Sequence, residues 1–231
     1  MRILTLILSL SFFLCPAPGA DVAATLVADG FDFPVGKPDG EGYYRARGYH
    51  ANGHLGDDWN GKGGGDTDLG DPVYATAHGV VVFAQNFAHG WGNVVIMRHA
   101  YEEGGRTKFA DSLYGHLDRI LVREGQQLRR GQQLGTIGTG GGLYSAHLHF
   151  EIRKDLRVGM ARHRFPKDEK TYFNPNDFVS AHRRQLKPAV SVAAVPVNTF
   201  VPFELLTPAD APEQPQPGAA AAAPKKPAPA R

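Results

Sequence analysis

Residues 71–99 read DPVYATAHGVVVFAQNFAHGWGNVVIMRH, and this stretch decides the fold class. PVYATA, GVVVFAQ and NVVIMRH are short runs rich in β-branched residues, broken by Gly79, Gly90 and Gly92. Branched side chains pack well on a pleated surface and glycines mark turns, so the pattern reads strand, turn, strand. Downstream, MRHAYEEGGRTKFADSLYGHL reads as a hairpin turning at Glu103-Gly104-Gly105-Arg106. EGQQLRRGQQLGTIG then sets Gly125 and Gly131 six residues apart, each before Gln-Gln-Leu, a spacing suited to tight corners. AHLHFEIR is the last strand. The expected fold is all-β: a compact antiparallel sheet or sandwich over residues 41–185. Glycine supplies 28 of 231 residues, well above the ~7% of average proteins, which argues against a helical bundle or coiled coil.

The two ends read differently. Residues 1–20, MRILTLILSLSFFLCPAPGA, place one Arg before an apolar run and then Pro16, Pro18 and small residues. This is the pattern of a signal peptide, with an apolar run too short for a stable membrane anchor. Phe13 and Leu14 are bulky where a lipoprotein signal carries small residues before its cysteine, so lipidation of Cys15 is not expected. Residues 21–40 are a short N-terminal segment. NPNDFVSAHRRQ starts a short closing helix at Asn174-Pro175, expected to run to about Arg184. Ten of the 17 prolines follow Lys187, so residues 186–231 read as a Pro/Ala-rich disordered tail.

Composition removes several functions. Lys and Arg number 25 against 23 Asp and Glu, a balance that offers no support for nucleic-acid binding. Cys15 is the single cysteine, which excludes a disulfide framework and any cysteine-based zinc site. Ten histidines leave imidazole and carboxylate as the available metal ligands.

Those residues gather in three places. Side chains alternate across a strand, so residues 146–152 put Ala146, Leu148, Phe150 and Ile152 on one face and His147, His149 and Glu151 on the other. The first set is an unbroken core face; the second sets two imidazoles side by side. Upstream, YHANGHLGDDWN carries His50, His54 and Asp58 at intervals of four. Its glycines argue against a helix and for a loop running into a strand. Catalytic zinc takes three protein ligands and leaves a fourth position for water; His54, Asp58 and one of His147 and His149 meet that count. SLYGHL adds His116 at a strand end, with Tyr114 expected on the same face. Trp59, Trp91 and Tyr144 are candidates for the floor of a groove or for the core. Loop 59–68 carries Asp66 and Asp68 but lacks the spacing and closing Glu of a calcium-binding EF-hand.

His54-x-x-x-Asp58, Tyr114-x-His116-Leu117 and His147-Leu148-His149-Phe150-Glu151 occur in the order and approximate spacing of the lysostaphin-like (LytM-type) zinc metallopeptidases. The resemblance covers roughly residues 45–155 and includes DPVYATAHGVVV, GWGNVVIMRH and the paired glycine turns before GTIG. It implies a small antiparallel β domain of the duplicated hybrid motif type. It also implies one Zn2+ per chain on His54, Asp58 and His149, with His116 and His147 as non-ligand catalytic histidines. The activity implied is hydrolysis of peptide bonds in bacterial peptidoglycan by an exported enzyme, periplasmic or extracellular. Its partners would be peptidoglycan peptides, and the chain a monomer. His147 would orient or deprotonate the water and His116 stabilise the oxyanion or protonate the leaving amine, and the two roles are exchangeable. A second reading is a non-catalytic module of the same fold that regulates another wall hydrolase. A third, a biotinyl- or lipoyl-carrier barrel, fails because no lysine stands at the hairpin tip near Arg129-Arg130.

Overall fold

A computed structural model describes residues 21–87, 90–184 and 191–203 of the chain. The proposed signal peptide and residues 204–231 lie outside these. Among the described residues, twelve strands and one α-helix follow in order: β1 (Val22–Leu26), β2 (Tyr43–Arg47), β3 (Asp57–Gly61), β4 (Pro72–Tyr74), β5 (Gly79–Asn86), β6 (Asn93–Glu103), β7 (Arg106–Ile120), β8 (Gln127–Leu128), β9 (Gln133–Ile137), β10 (Leu148–Arg153), β11 (Tyr172–Phe173), α1 (Pro175–Ala181) and β12 (Val192–Pro196). Ten strands form one antiparallel sheet with the path β2-β3-β10-β7-β6-β5-β8; β11 joins at β10, and β9 pairs with both β4 and β7. The all-β expectation holds.

The longest pairing, β6 with β7, runs to Glu103 opposite Arg106 and turns at Gly104 and Gly105. Both glycines have positive φ, +60° and +73°, as a two-residue turn matched to strand twist requires. The core face read from residues 146–152 is realised: Ala146, Leu148, Phe150 and Ile152 are all buried in the main apolar cluster. Strands β3 and β7 flank β10, pairing His149 with Asp58 on one side and with Gly115 on the other. The centre of the sheet therefore brings the three histidine-bearing stretches together.

Three expectations are corrected. Tyr114 does not share a face with His116. The β6–β7 register shifts between Asn93 opposite Leu117 and Val95 opposite Tyr114, and His116 has φ +62°. This local bulge breaks the two-residue alternation and re-aims one side chain. Tyr114 is buried in the core and its hydroxyl accepts from the Thr76 amide at 2.9 Å. The closing helix ends at Ala181 rather than near Arg184, because Arg183 turns away to donate to the Pro38 carbonyl at 2.7 Å and to pair with Asp32 and Asp39. The disordered tail does not begin at residue 186. Residues 192–196 form β12, paired antiparallel with β1, and Val195 is buried against Val80 and Ala100. Beyond it, Arg98, itself held by Asp111, donates to the Pro196 carbonyl at 2.6 Å and to Thr199 Oγ at 2.8 Å. A proline at the end of an outer strand costs no ladder bond, so the proline-rich composition concealed a strand.

Candidate metal centre

His54 stands on the loop before β3, Asp58 on β3 and His149 on β10. His54 Nε2 lies 3.0 Å from Asp58 Oδ1 and 3.1 Å from His149 Nδ1, and His149 Nδ1 lies 2.8 Å from Asp58 Oδ1. Among the described residues these three form the group able to hold a metal ion. The far edge of each ring is fixed. His54 Nδ1 donates to the Gly48 carbonyl at 3.1 Å, and His149 Nε2 donates to Glu151 Oε1 at 3.0 Å. An imidazole that donates from one nitrogen presents a lone pair on the other. Two lone pairs and a carboxylate oxygen thus face one another at about hydrogen-bond distance, an arrangement that repels itself unless a positive charge joins it.

The electrostatics agree. Burial works to lower the His149 pKa, but hydrogen bonds to Asp58 and Glu151 outweigh it and push it up to about 9. Burial works to raise Asp58, yet His149 and His54 hold it well below the carboxylate range. Glu151, also buried, is held at about 2 by Arg153 and His149. The triad is built to retain a cation. Its donors, two imidazole nitrogens and one carboxylate oxygen, are those of catalytic zinc, with spacings close to the ~3.3 Å edge of a tetrahedron of 2.0–2.1 Å bonds.

Two further histidines border the triad. His147 Nδ1 donates to the Ser145 carbonyl at 2.8 Å, leaving Nε2 as an acceptor 3.9 Å from Asp58 Oδ1. His116 lies with its ring centre 4.8 Å from that of His147 and 5.7 Å from that of His149. Burial, reinforced by His149 and His147, drives its pKa down to about 3, and its Nδ1 is buried with no hydrogen-bond partner. It is a neutral imidazole whose left-handed backbone points it at the centre.

The remaining candidates separate. Trp91 stacks on His116 at 6.1 Å and meets His149 edge-on at 5.4 Å, and Tyr144 lies 4.9 Å from His116. Both line the site, Trp91 from within a second apolar cluster, whereas Trp59 sits in the main core. In loop 59–68, Asp66 accepts from the Ala146 amide at 2.7 Å and Asp68 from the Gly61 amide at 2.9 Å, so Asp66 clamps the start of the histidine strand. Asp57 is fully buried and accepts from the Tyr49 amide at 2.9 Å. Glu151 carries a role that its sequence position does not assign: besides pairing with Arg153 at 2.7 Å, it anchors His149. Its place on the histidine face was the available signal.

The description Peptidase family M23 matches residues 60–163, a span that holds His116, His147 and His149 and begins just after Asp58. Over 84 residues the chain is 42% identical to Lipoprotein NlpD of Yersinia enterocolitica, covering 36% of this chain and 78% of that protein. It is equally identical, over the same length and share, to Murein hydrolase activator NlpD of Escherichia coli (strain K12), of which it covers 20%. Peptidoglycan DD-endopeptidase ShyA of Vibrio cholerae is 39% identical over 84 residues, 36% of this chain and 18% of that one. The chain thus spans a fifth or less of the two longer relatives. Identity at this level across most of the Yersinia protein, together with the family match, leads to one conclusion: the chain belongs to peptidase family M23.

Proposed function

We propose that this chain is an exported, zinc-dependent endopeptidase that hydrolyses peptide bonds of bacterial peptidoglycan. The observation that carries the proposal is the combination of a complete His54–Asp58–His149 triad with His147 and His116 on its rim. Zinc held by the triad would supply Lewis acidity toward a peptide carbonyl and toward water. The protein does the rest. His147, with its Nδ1 tied to Ser145, offers Nε2 as the base that takes the proton of the attacking water. His116, kept neutral, carries an N–H that stabilises the developing oxyanion, and the proton taken up by His147 passes to the leaving amine. Trp91 and Tyr144 hold the two rings and limit water. Asp58, ionised, is the one anionic ligand, so a bound zinc would keep a net positive charge toward the tetrahedral oxyanion. Export rests on the signal pattern of residues 1–20 and on the wall-related names of the relatives.

A second reading has specific support, because relatives at 42% identity are named murein hydrolase activators. Purified residues 21–231 incubated with peptidoglycan alone, with zinc or with a chelator, separate the two. The peptidase reading predicts chelator-sensitive loss of cross-linked muropeptides, abolished by His147→Ala. Intact peptidoglycan, accompanied by stimulation of an added murein hydrolase, would replace it with the activator reading.

A further inference from the structure

The loop between β10 and β11 carries a cation that makes no hydrogen bond within the metal centre. Arg162 opens the one-turn helical segment Arg162–Arg164, and its Cζ lies 5.3 Å from the centre of the Trp91 ring. Trp91 is the residue that stacks on His116, so the guanidinium stands one ring away from the reacting groups. Arg98, Arg153 and Arg130 each face a carboxylate. The half-buried Arg162 differs: its flat face lies on the indole, and no acceptor among the described residues meets its N–H groups.

The loop is held firmly enough to keep this cation in place. Arg153, the partner of Glu151, also donates to the Gly159 carbonyl. The Leu156 carbonyl accepts from Arg98 Nη2 at 2.8 Å and from Thr199 Oγ at 2.5 Å, and the Val201 amide bonds the Arg157 carbonyl at 2.8 Å. Residues 197–203, after β12, thus brace the loop from behind, and the ion pair that orients His149 pins it from the site side. A pre-placed side chain loses little entropy on binding. The charge of Arg162 also reaches Tyr144, where it opposes the burial that raises that phenol. Arg162 thus lies within electrostatic reach of Tyr144, which borders His116 and His147.

A planar guanidinium with a free edge matches a carboxylate, which it can engage through two parallel hydrogen bonds. We propose that Arg162 is a specificity-determining residue whose guanidinium edge receives a free carboxylate of the substrate peptide, beside the bond presented to His116 and His147. This rests on the peptidase reading above.

The test uses two stem peptides that differ only in one group, a free carboxylate or its carboxamide. Their binding is measured by calorimetry to zinc-loaded protein carrying His147→Ala to suppress turnover, with Arg162 intact, Arg162→Gln or Arg162→Lys; hydrolysis is followed in parallel with His147 present. A charge-assisted hydrogen bond of ~1.5–3 kcal/mol corresponds to a roughly 10–100-fold preference for the carboxylate peptide when Arg162 is intact. Arg162→Gln should abolish that preference, and Arg162→Lys should retain part of it. Equal binding of the two peptides to the Arg162 protein, or an undiminished preference in Arg162→Gln, overturns the assignment. Preference without hydrolysis would leave Arg162 in place and remove the peptidase reading; hydrolysis without preference would do the reverse.

Discussion

Glu151 Oε1 lies 3.0 Å from His149 Nε2, on the ring edge opposite the one that meets Asp58 at 2.8 Å. The contact fixes the tautomer of His149 and places a buried ion pair, Glu151–Arg153, directly behind the centre. Partners of this kind typically change metal affinity ~10–100-fold. Glu151→Gln should weaken zinc binding by about that factor in a chelator-competition titration. It should also lower stability by ~3–5 kcal/mol, because Arg153 loses its buried counter-ion. Adding Arg153→Met should recover much of the stability and none of the zinc affinity. Zinc affinity unchanged in Glu151→Gln would mean that the contact does not tune the centre.

His116 combines its proposed role with an unfavourable backbone. Its φ of +62° is tolerated by His and Asn far better than by branched residues. His116→Asn should therefore fold with stability within ~1 kcal/mol of the parent, while peptide hydrolysis falls ~100-fold or more. His116→Val should lose the activity and also ~1–3 kcal/mol of stability. Denaturant titrations of the two variants decide; equal stabilities would contradict the bulge geometry.

His99 sets an acid limit far from the centre. Its ring is fully buried, with Nδ1 2.8 Å from the His78 carbonyl and Nε2 2.7 Å from Ser112 Oγ. Burial pushes its pKa from 6.5 down to about 4, against the pull of that carbonyl and with the help of His78 and Arg98. Between those values the unfolded chain binds a proton that the folded chain does not. The contribution is complete above pH 6.5 and drains as pH falls toward 4, by up to ~3 kcal/mol. Urea midpoints at pH 7 and pH 4.5 should differ less in His99→Gln than in the parent. An identical difference would remove His99 from the acid response.

Much of this was legible before the structure because it follows from local alternation. Residues 146–152 have an uninterrupted apolar face, so the opposite face, with His147, His149 and Glu151, could be read directly. The glycine pair at 104–105 marked its hairpin for the same kind of local reason. Tyr114 was misplaced because a bulge is a departure from period two that its own sequence does not announce. β12 was hidden because its pairing with β1 spans nearly the whole chain, and prolines dominate its surroundings. Arg162 became meaningful only when Trp91, seventy-one positions away, was seen beneath it.

The metal centre proposed for His54, Asp58 and His149 stands or falls on zinc binding. It is tested most directly by titrating metal-free protein with zinc, alongside His54→Ala, Asp58→Ala and His149→Ala, and reading stoichiometry and affinity by calorimetry. One equivalent should bind tightly to the parent, with a loss of at least ~100-fold in each variant. A parent that binds no zinc, or three variants that bind it as the parent does, would contradict it.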